Sequence, residues 1–187
     1  MPYPSVLSYS YVANGGTLVV PAGTKLIICC QLANQACTLG GVSLSLVTNY
    51  TTKSSIYKYL LPPTGNLTFA SSGAAGHLLC IGNAKDVGAS HSGTDASGLD
   101  SFSLAGDGNS LVVGVQMTAT SSPTTGHHLR VDGVDVTYDH NVTYYQVGHA
   151  NSPSNPIGCQ ARDDNAAGAV QGDSFVVIPY NSSPSGV

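Results

Sequence analysis

The chain has 187 residues, a formal net charge of −4 and only 9% charged residues, where globular domains average about 25%. All ten acidic residues are Asp and only six residues are Lys or Arg. Exposed helix faces are filled by Glu, Lys and Arg, so a helical bundle or coiled coil is all but excluded. Six scattered basic residues leave no electrostatic footprint for nucleic acid, and no apolar run approaches the roughly 18 residues of a membrane helix.

A hydrophobic fraction of 42% separates the chain from disordered sequences. The length fits one β-sandwich or barrel, or at most two small domains. The opening Met-Pro-Tyr-Pro lacks the basic start and apolar core of a secretory signal. We therefore expect a protein that stays in, or assembles in, the cytoplasm of the cell that makes it. Cys29, Cys30, Cys37, Cys80 and Cys159 are odd in number and read as small buried thiols rather than a disulfide framework.

Strand signals follow in chain order, bounded by Gly, Pro, Asn and Ser clusters. Leu7–Val12 precedes the Asn14-Gly15-Gly16 turn, then Thr17–Val20. Lys25–Gln31 is apolar on both faces and reads as a central strand. Cys37–Leu39 and Val42–Asn49 flank Gly40-Gly41, followed by Ile56–Leu61, Gly65–Ala70 and His77–Ile81. Asn83–Asp100 is polar and aperiodic. Ser101–Ala105 and Leu111–Met117 read as a hairpin around Gly106–Asn109. A loop at Ala119–His128 leads to Val131–Tyr138 and Asn141–Val147, then to the polar Ala150–Asn165. Ala166–Gln171 and Ser174–Tyr180, around a Gly172-Asp173 turn, close the fold. Ten to twelve strands without helical crossovers predict an all-β, antiparallel, jelly-roll-like sandwich. Residues 7–180 form its single domain, with no internal repeat of 20–50 residues. An extended arm (residues 1–6) precedes it and a flexible tail (181–187) follows.

Candidate chemistry is sparse. His77, His91, His127, His128, His140 and His149 show no metal-ligand spacing, so no metal site is expected from them. Asp132, Asp135 and Asp163 could supply oxygen ligands for Ca²⁺, but Asp also dominates turns, the favoured reading. A glycosidase carboxylate pair is unspecific among ten Asp, and no Gly-x-Ser-x-Gly elbow occurs. No catalytic residue and no cofactor are expected. The sequons at Asn49, Asn66, Asn141 and Asn181 are about as many as chance allows. Tyr is more informative: there are ten, against three Phe and no Trp. Tyr138, Tyr144 and Tyr145 gather near His140, as contact residues or as cross-strand pairs.

The phrases Asn14–Gly23, Leu26–Cys30, Thr38–Leu44, Tyr59–Thr68, Ala105–Val113 and Gly172–Val177 resemble jelly-roll or sandwich modules of tailed-bacteriophage virion proteins. Both capsid decoration (cement) proteins and tail-tip modules belong to that group. The segments His77–Asp100 and Ala150–Asn165 are longer and more polar than the compact pattern, and could carry binding specificity.

The resemblance and the low charge together imply a structural protein packed against neighbours. The expectation is a homotrimeric decoration protein on the major capsid protein, located in the virion and assembled in the host bacterial cytoplasm. The residues expected to touch partners are Pro2, Tyr3 and Pro4 of the arm and Tyr138, His140, Tyr144 and Tyr145. A carbohydrate-binding tail tip is the alternative; a small β-barrel carbohydrate-active enzyme is a third.

Overall fold

The computed structural model describes residues 2–118, 127–142, 145–163 and 170–181. The first half of the chain forms β1 (Ser5–Val12), β2 (Thr17–Val20), β3 (Thr24–Gln31), β4 (Cys37–Leu39), β5 (Val42–Ser43), β6 (Ser45–Tyr50), β7 (Ser54–Leu60), β8 (Gly65–Ser71) and β9 (Gly76–Gly82). The second half forms β10 (Ser90–Asp95), β11 (Leu99–Leu104), β12 (Ser110–Thr118), β13 (His127–Val131), β14 (Val134–Asp135), β15 (Thr137–Val142), β16 (Tyr145–Ser152), β17 (Ile157–Asp163) and β18 (Val170–Pro179). No helix occurs among the described residues.

Within the first half the strand pairs nest: β1 with β9, β2 with β8, β3 with β7, β4 with β5. The contacts β3·β9 and β4·β8 close this folded-over hairpin into two sheets, the wrapping of a jelly roll. The sheets run β1-β9-β3-β7-β6 and β2-β8-β4-β5. The second half repeats the plan strand for strand, as β10-β18-β12-β16-β15 and β11-β17-β13-β14. Every pairing is antiparallel among the described residues.

The four sheets stack as four layers. Leu26, Ile28, Cys30, Ile56, Leu79 and Ile81 meet Leu111, Val113, Val115, Val147, Val176 and Ile178 in a central core between the two five-stranded sheets. Alternate residues of the same strands face outward into two flanking cores. Ile27, Cys29, Leu78 and Cys80 pack against Leu18, Leu39 and Phe69 on one side. Val112, Phe175 and Val177 pack against Leu129, Val131, Ile157 and Cys159 on the other. Being inner layers explains why β3, β9, β12 and β18 are buried along nearly their whole length, and why β3 reads as an apolar run: both faces are covered. The outer strand β2 instead alternates, with Leu18 and Val20 buried and Thr17 and Val19 exposed. Because the halves share the central core, the chain is one domain.

The equivalence extends to turns. Gly40-Gly41 (φ 59° and 81°) and Asp132-Gly133 (φ 53° and 78°) make the same left-handed two-residue connection, the conformation of a tight hairpin turn. Leu44 and Val136 follow these turns in matching burial, each 7% exposed. Gln31 and Gln116, both fully buried, occupy equivalent positions near the ends of β3 and β12.

Several sequence expectations are corrected. Gly106–Asn109 does not close a hairpin ladder: β11 pairs with β17, while β12 pairs with β16 and β18, so the turn passes the chain between sheets. The polar segments Asn83–Asp100 and Ala150–Asn165 are not plain loops, because they contain β10, the start of β11, and β17. Gly172-Asp173 lies inside β18 instead of turning. Val131–Tyr138 is broken at Asp132-Gly133, and the described residues alone form eighteen strands, not ten to twelve. The repeat escapes a 20–50-residue search because its unit is a whole nine-stranded half. Ser5 and Val6 already pair with Gly82 and Ile81, so the free arm shortens to residues 2–4. Residues 119–126 of the expected loop, 166–169 of the expected strand and 182–187 of the expected tail lie outside the described residues. The five thiols are buried and unbridged.

Candidate functional site

The tyrosine-rich region gathers at one edge of the central interface, where β1 and β9 of one half meet β15 and β16 of the other. Tyr11 and His77 are cross-strand partners with ring centroids 4.8 Å apart. The His77 ring lies 4.4 Å from His140 and 4.9 Å from Tyr145. Tyr11 stacks parallel to His140 at 5.7 Å with planes 2° apart. At 60% exposure, Tyr11 offers solvent an aromatic surface.

The electrostatics of this cluster follow from burial. His77 is driven down to about 3, first by loss of water and then by repulsion from His140. Burial also lowers His140. Held neutral, His77 Nδ1 accepts a hydrogen bond from the Tyr9 hydroxyl at 2.8 Å. Burial, and next the Asp139 charge, raise the Tyr9 hydroxyl well above its ordinary range. Asp139 in turn lies 3.3 Å from His149 Nε2. His77 is therefore uncharged at neutral pH, which suits it to stacking among the neighbouring rings.

Of the expected contact residues, Pro2 is exposed, Tyr3 half-buried and Pro4 buried. Tyr138 is half-buried and its hydroxyl accepts from the Leu129 amide at 3.1 Å, an internal role. His140 is half-buried within the seam. Tyr145 is 2% exposed in the central core, so it cannot meet a partner; its ring is needed to fill the interface. Tyr144 lies outside the described residues. Sequence proximity alone missed Tyr9, Tyr11 and His77, which reach the seam from the other half of the chain.

The Asp residues considered for Ca²⁺ do not converge. Asp132 accepts from Ser152 Oγ at 2.6 Å and from the Gly158 amide at 3.1 Å. Asp135 pairs with Arg130 at 2.8 Å. Asp163 stands at the far end of the β13·β17 ladder from Asp132, about 17 Å away at strand rise.

A different group does converge. His91 on β10, Asp100 on β11 and Asp173 on β18 bring three ligand atoms within 4.8 Å of one another. His91 Nε2 lies 3.0 Å from Asp100 Oδ2 and 3.8 Å from Asp173 Oδ1. Asp173 is fully buried. Burial, then the adjacent Asp100 carboxyl, push it up to about 8. The facing Gly93 amide offsets this only in part. No chain spacing signals the group, because its members are separated along the sequence and joined only by the β10·β18 pairing and the packing of β11 against those strands.

The two ends of the stack differ in charge. Residues 1–84 hold Lys25, Lys53 and Lys58 and no acid, and all ten Asp fall after them. The outward side of β2-β8-β4-β5 presents Thr17, Val19, Thr38, Ser43, Asn66, Thr68 and Ala70, without one ionisable group. The corresponding sheet of the second half carries Asp100, Arg130, Asp135 and Arg162.

Compared with family models, curated proteins and solved structures, the chain matches none.

Proposed function

We propose that the chain is a non-catalytic structural protein of a tailed-phage virion, a capsid decoration subunit that acts as a homotrimer on the major capsid shell. The observation that supports this reading is the uncharged outer sheet β2-β8-β4-β5. A Thr/Ser/Asn/Ala surface has no ionised group to strip of water when covered, and its hydroxyls and amides can hydrogen-bond across a contact. The opposite end, which carries Arg130, Asp135 and Arg162, would then face solvent.

The test is the abundance and position of the chain in purified particles. Hundreds of copies on the head are expected, with occupancy falling at least tenfold in Thr68→Glu, whose side chain points outward. A copy number between three and eighteen, located on the tail, would overturn the decoration reading. One observation favours a second reading as a glycan-binding tail tip: the exposed Tyr11 ring stacked on His140 is an aromatic platform of the kind sugars pack against. A glycan-array signal lost in Tyr11→Ala would support that reading instead.

A further inference from the structure

We propose that His91, Asp100 and Asp173 form a binding site for a divalent transition-metal ion of the zinc class, which clamps the outer sheet of the second half onto its inner sheet. The site joins β10 and β18 of the inner layer to β11 of the outer one. This inference is independent of the virion reading and goes beyond it.

Distance is the first argument. An ion with bonds near 2.1 Å in tetrahedral geometry holds its ligand atoms about 3.4 Å apart. His91 Nε2 stands 3.0 Å and 3.8 Å from the two carboxylate oxygens, on either side of that value. All three ligand atoms lie within 4.8 Å of one another, close enough for side-chain adjustment to complete the coordination.

Asp173 supplies an independent argument. Its side chain is wholly buried, and neither carboxylate oxygen is held by a well-formed hydrogen bond among the described residues, although the Gly93 amide and the Asp100 carboxyl lie beside it. A buried, unpaired carboxylate must be neutralised by a proton or a cation. A metal ion would satisfy these oxygens.

The surroundings are shaped for the ligands. Phe102 stacks on the His91 imidazole at 3.6 Å and meets Phe175 edge-on at 5.0 Å, which fixes the ring plane. Gly93 leaves the necessary room: a Cβ there would stand 2.8 Å from His91 Nε2 and collide with Asp100 Oδ2. The fold itself does not require these donors. Matching the registers of the two halves places Ser10, Asn14 and Gly76 where the second half has His91, Asp100 and Asp173.

One imidazole nitrogen with two carboxylate oxygens selects for zinc-class ions over Ca²⁺ and Mg²⁺, which favour all-oxygen shells. Three protein ligands leave a fourth position for water. The partial exposure of the His91 and Asp100 side chains, 28% and 18%, gives that water a route in.

Calorimetric titration of the chelator-treated full chain with Zn²⁺, paired with thermal melting, tests the site. One equivalent is expected to bind with micromolar or tighter affinity and to raise the melting temperature, whereas Ca²⁺ does neither. His91→Ala and Asp173→Asn should each weaken binding at least tenfold, and His128→Ala should bind as the parent does. Circular dichroism of the metal-free variants confirms folding, and His91→Ala, at a partly exposed position, serves if Asp173→Asn does not fold. Absence of Zn²⁺ binding, or equal binding by the folded parent and the His91→Ala variant, would overturn the proposal.

Discussion

Asp132 occupies in the second half the place that Gly40 holds in the first. Each enters a two-residue turn at positive φ, 53° and 59°, and each donates its amide to the neighbouring strand, to Gly158 O at 2.7 Å and Thr68 O at 2.8 Å. The carboxylate compensates for the strained conformation by accepting from Ser152 and Gly158. Asp132→Ala should cost about 1–3 kcal/mol in chemical denaturation, since it keeps the strain and loses both bonds. Asp132→Gly should cost less. Neither melting curve should move on adding Ca²⁺, because the carboxylate is already engaged in the turn.

The His77 ring sets an acid limit on stability. Its folded value of about 3 lies below the ordinary 6.5, so in that window the unfolded chain takes up a proton that the native state refuses. Stability is therefore full above pH 6.5 and is lost as pH falls toward 3. The loss should reach a few kcal/mol (order of magnitude), with His140 adding in the same direction. Denaturation midpoints measured across this range should fall steeply in the parent and less steeply in His77→Gln, which keeps an acceptor for Tyr9.

Tyr145 tests the assignment of the seam as interior. Its hydroxyl is buried without a hydrogen-bond partner among the described residues, so Tyr145→Phe removes an unsatisfied group at nearly constant shape. The variant should be as stable as the parent or up to about 1 kcal/mol more stable. Tyr145→Ala should cost about 3–5 kcal/mol through the cavity it leaves. Thermal melts of the two variants check both values.

Separating the halves should destroy them. A fragment of residues 2–84 would expose Leu26, Ile28, Ile56, Leu79 and Ile81 of the central core together, far more apolar surface than a soluble monomer tolerates. Each fragment expressed alone should aggregate or stay unfolded, and co-expression should restore a soluble pair. Independent, cooperative melting of either fragment would show two autonomous domains.

Much of the fold was legible because burial writes a period into the chain. Thr17–Val20 and Cys37–Leu39 alternate as strands with one covered face, and their bounds match the structure. β3 reads as central because it is covered on both sides. The strands that escaped, Ser90–Asp95 and Ile157–Asp163, draw on polar residues whose strand conformation is imposed by pairing with β18 and with β11 and β13. The duplication was hidden because equivalent positions share burial rather than identity, as in Leu39-Gly40-Gly41-Val42 against Val131-Asp132-Gly133-Val134. The His91, Asp100 and Asp173 group was invisible for another reason: only tertiary pairing brings its members together, so no local spacing encodes it. The aromatic seam was half legible, through His140 and Tyr145 but not Tyr9, Tyr11 and His77.

Light scattering on the purified full-length chain at micromolar concentration is the sharpest check on a protein built to be covered by its neighbours. A homogeneous particle of three times the 19.0 kDa chain mass is expected. A stable, monodisperse 19.0 kDa monomer under those conditions would contradict it.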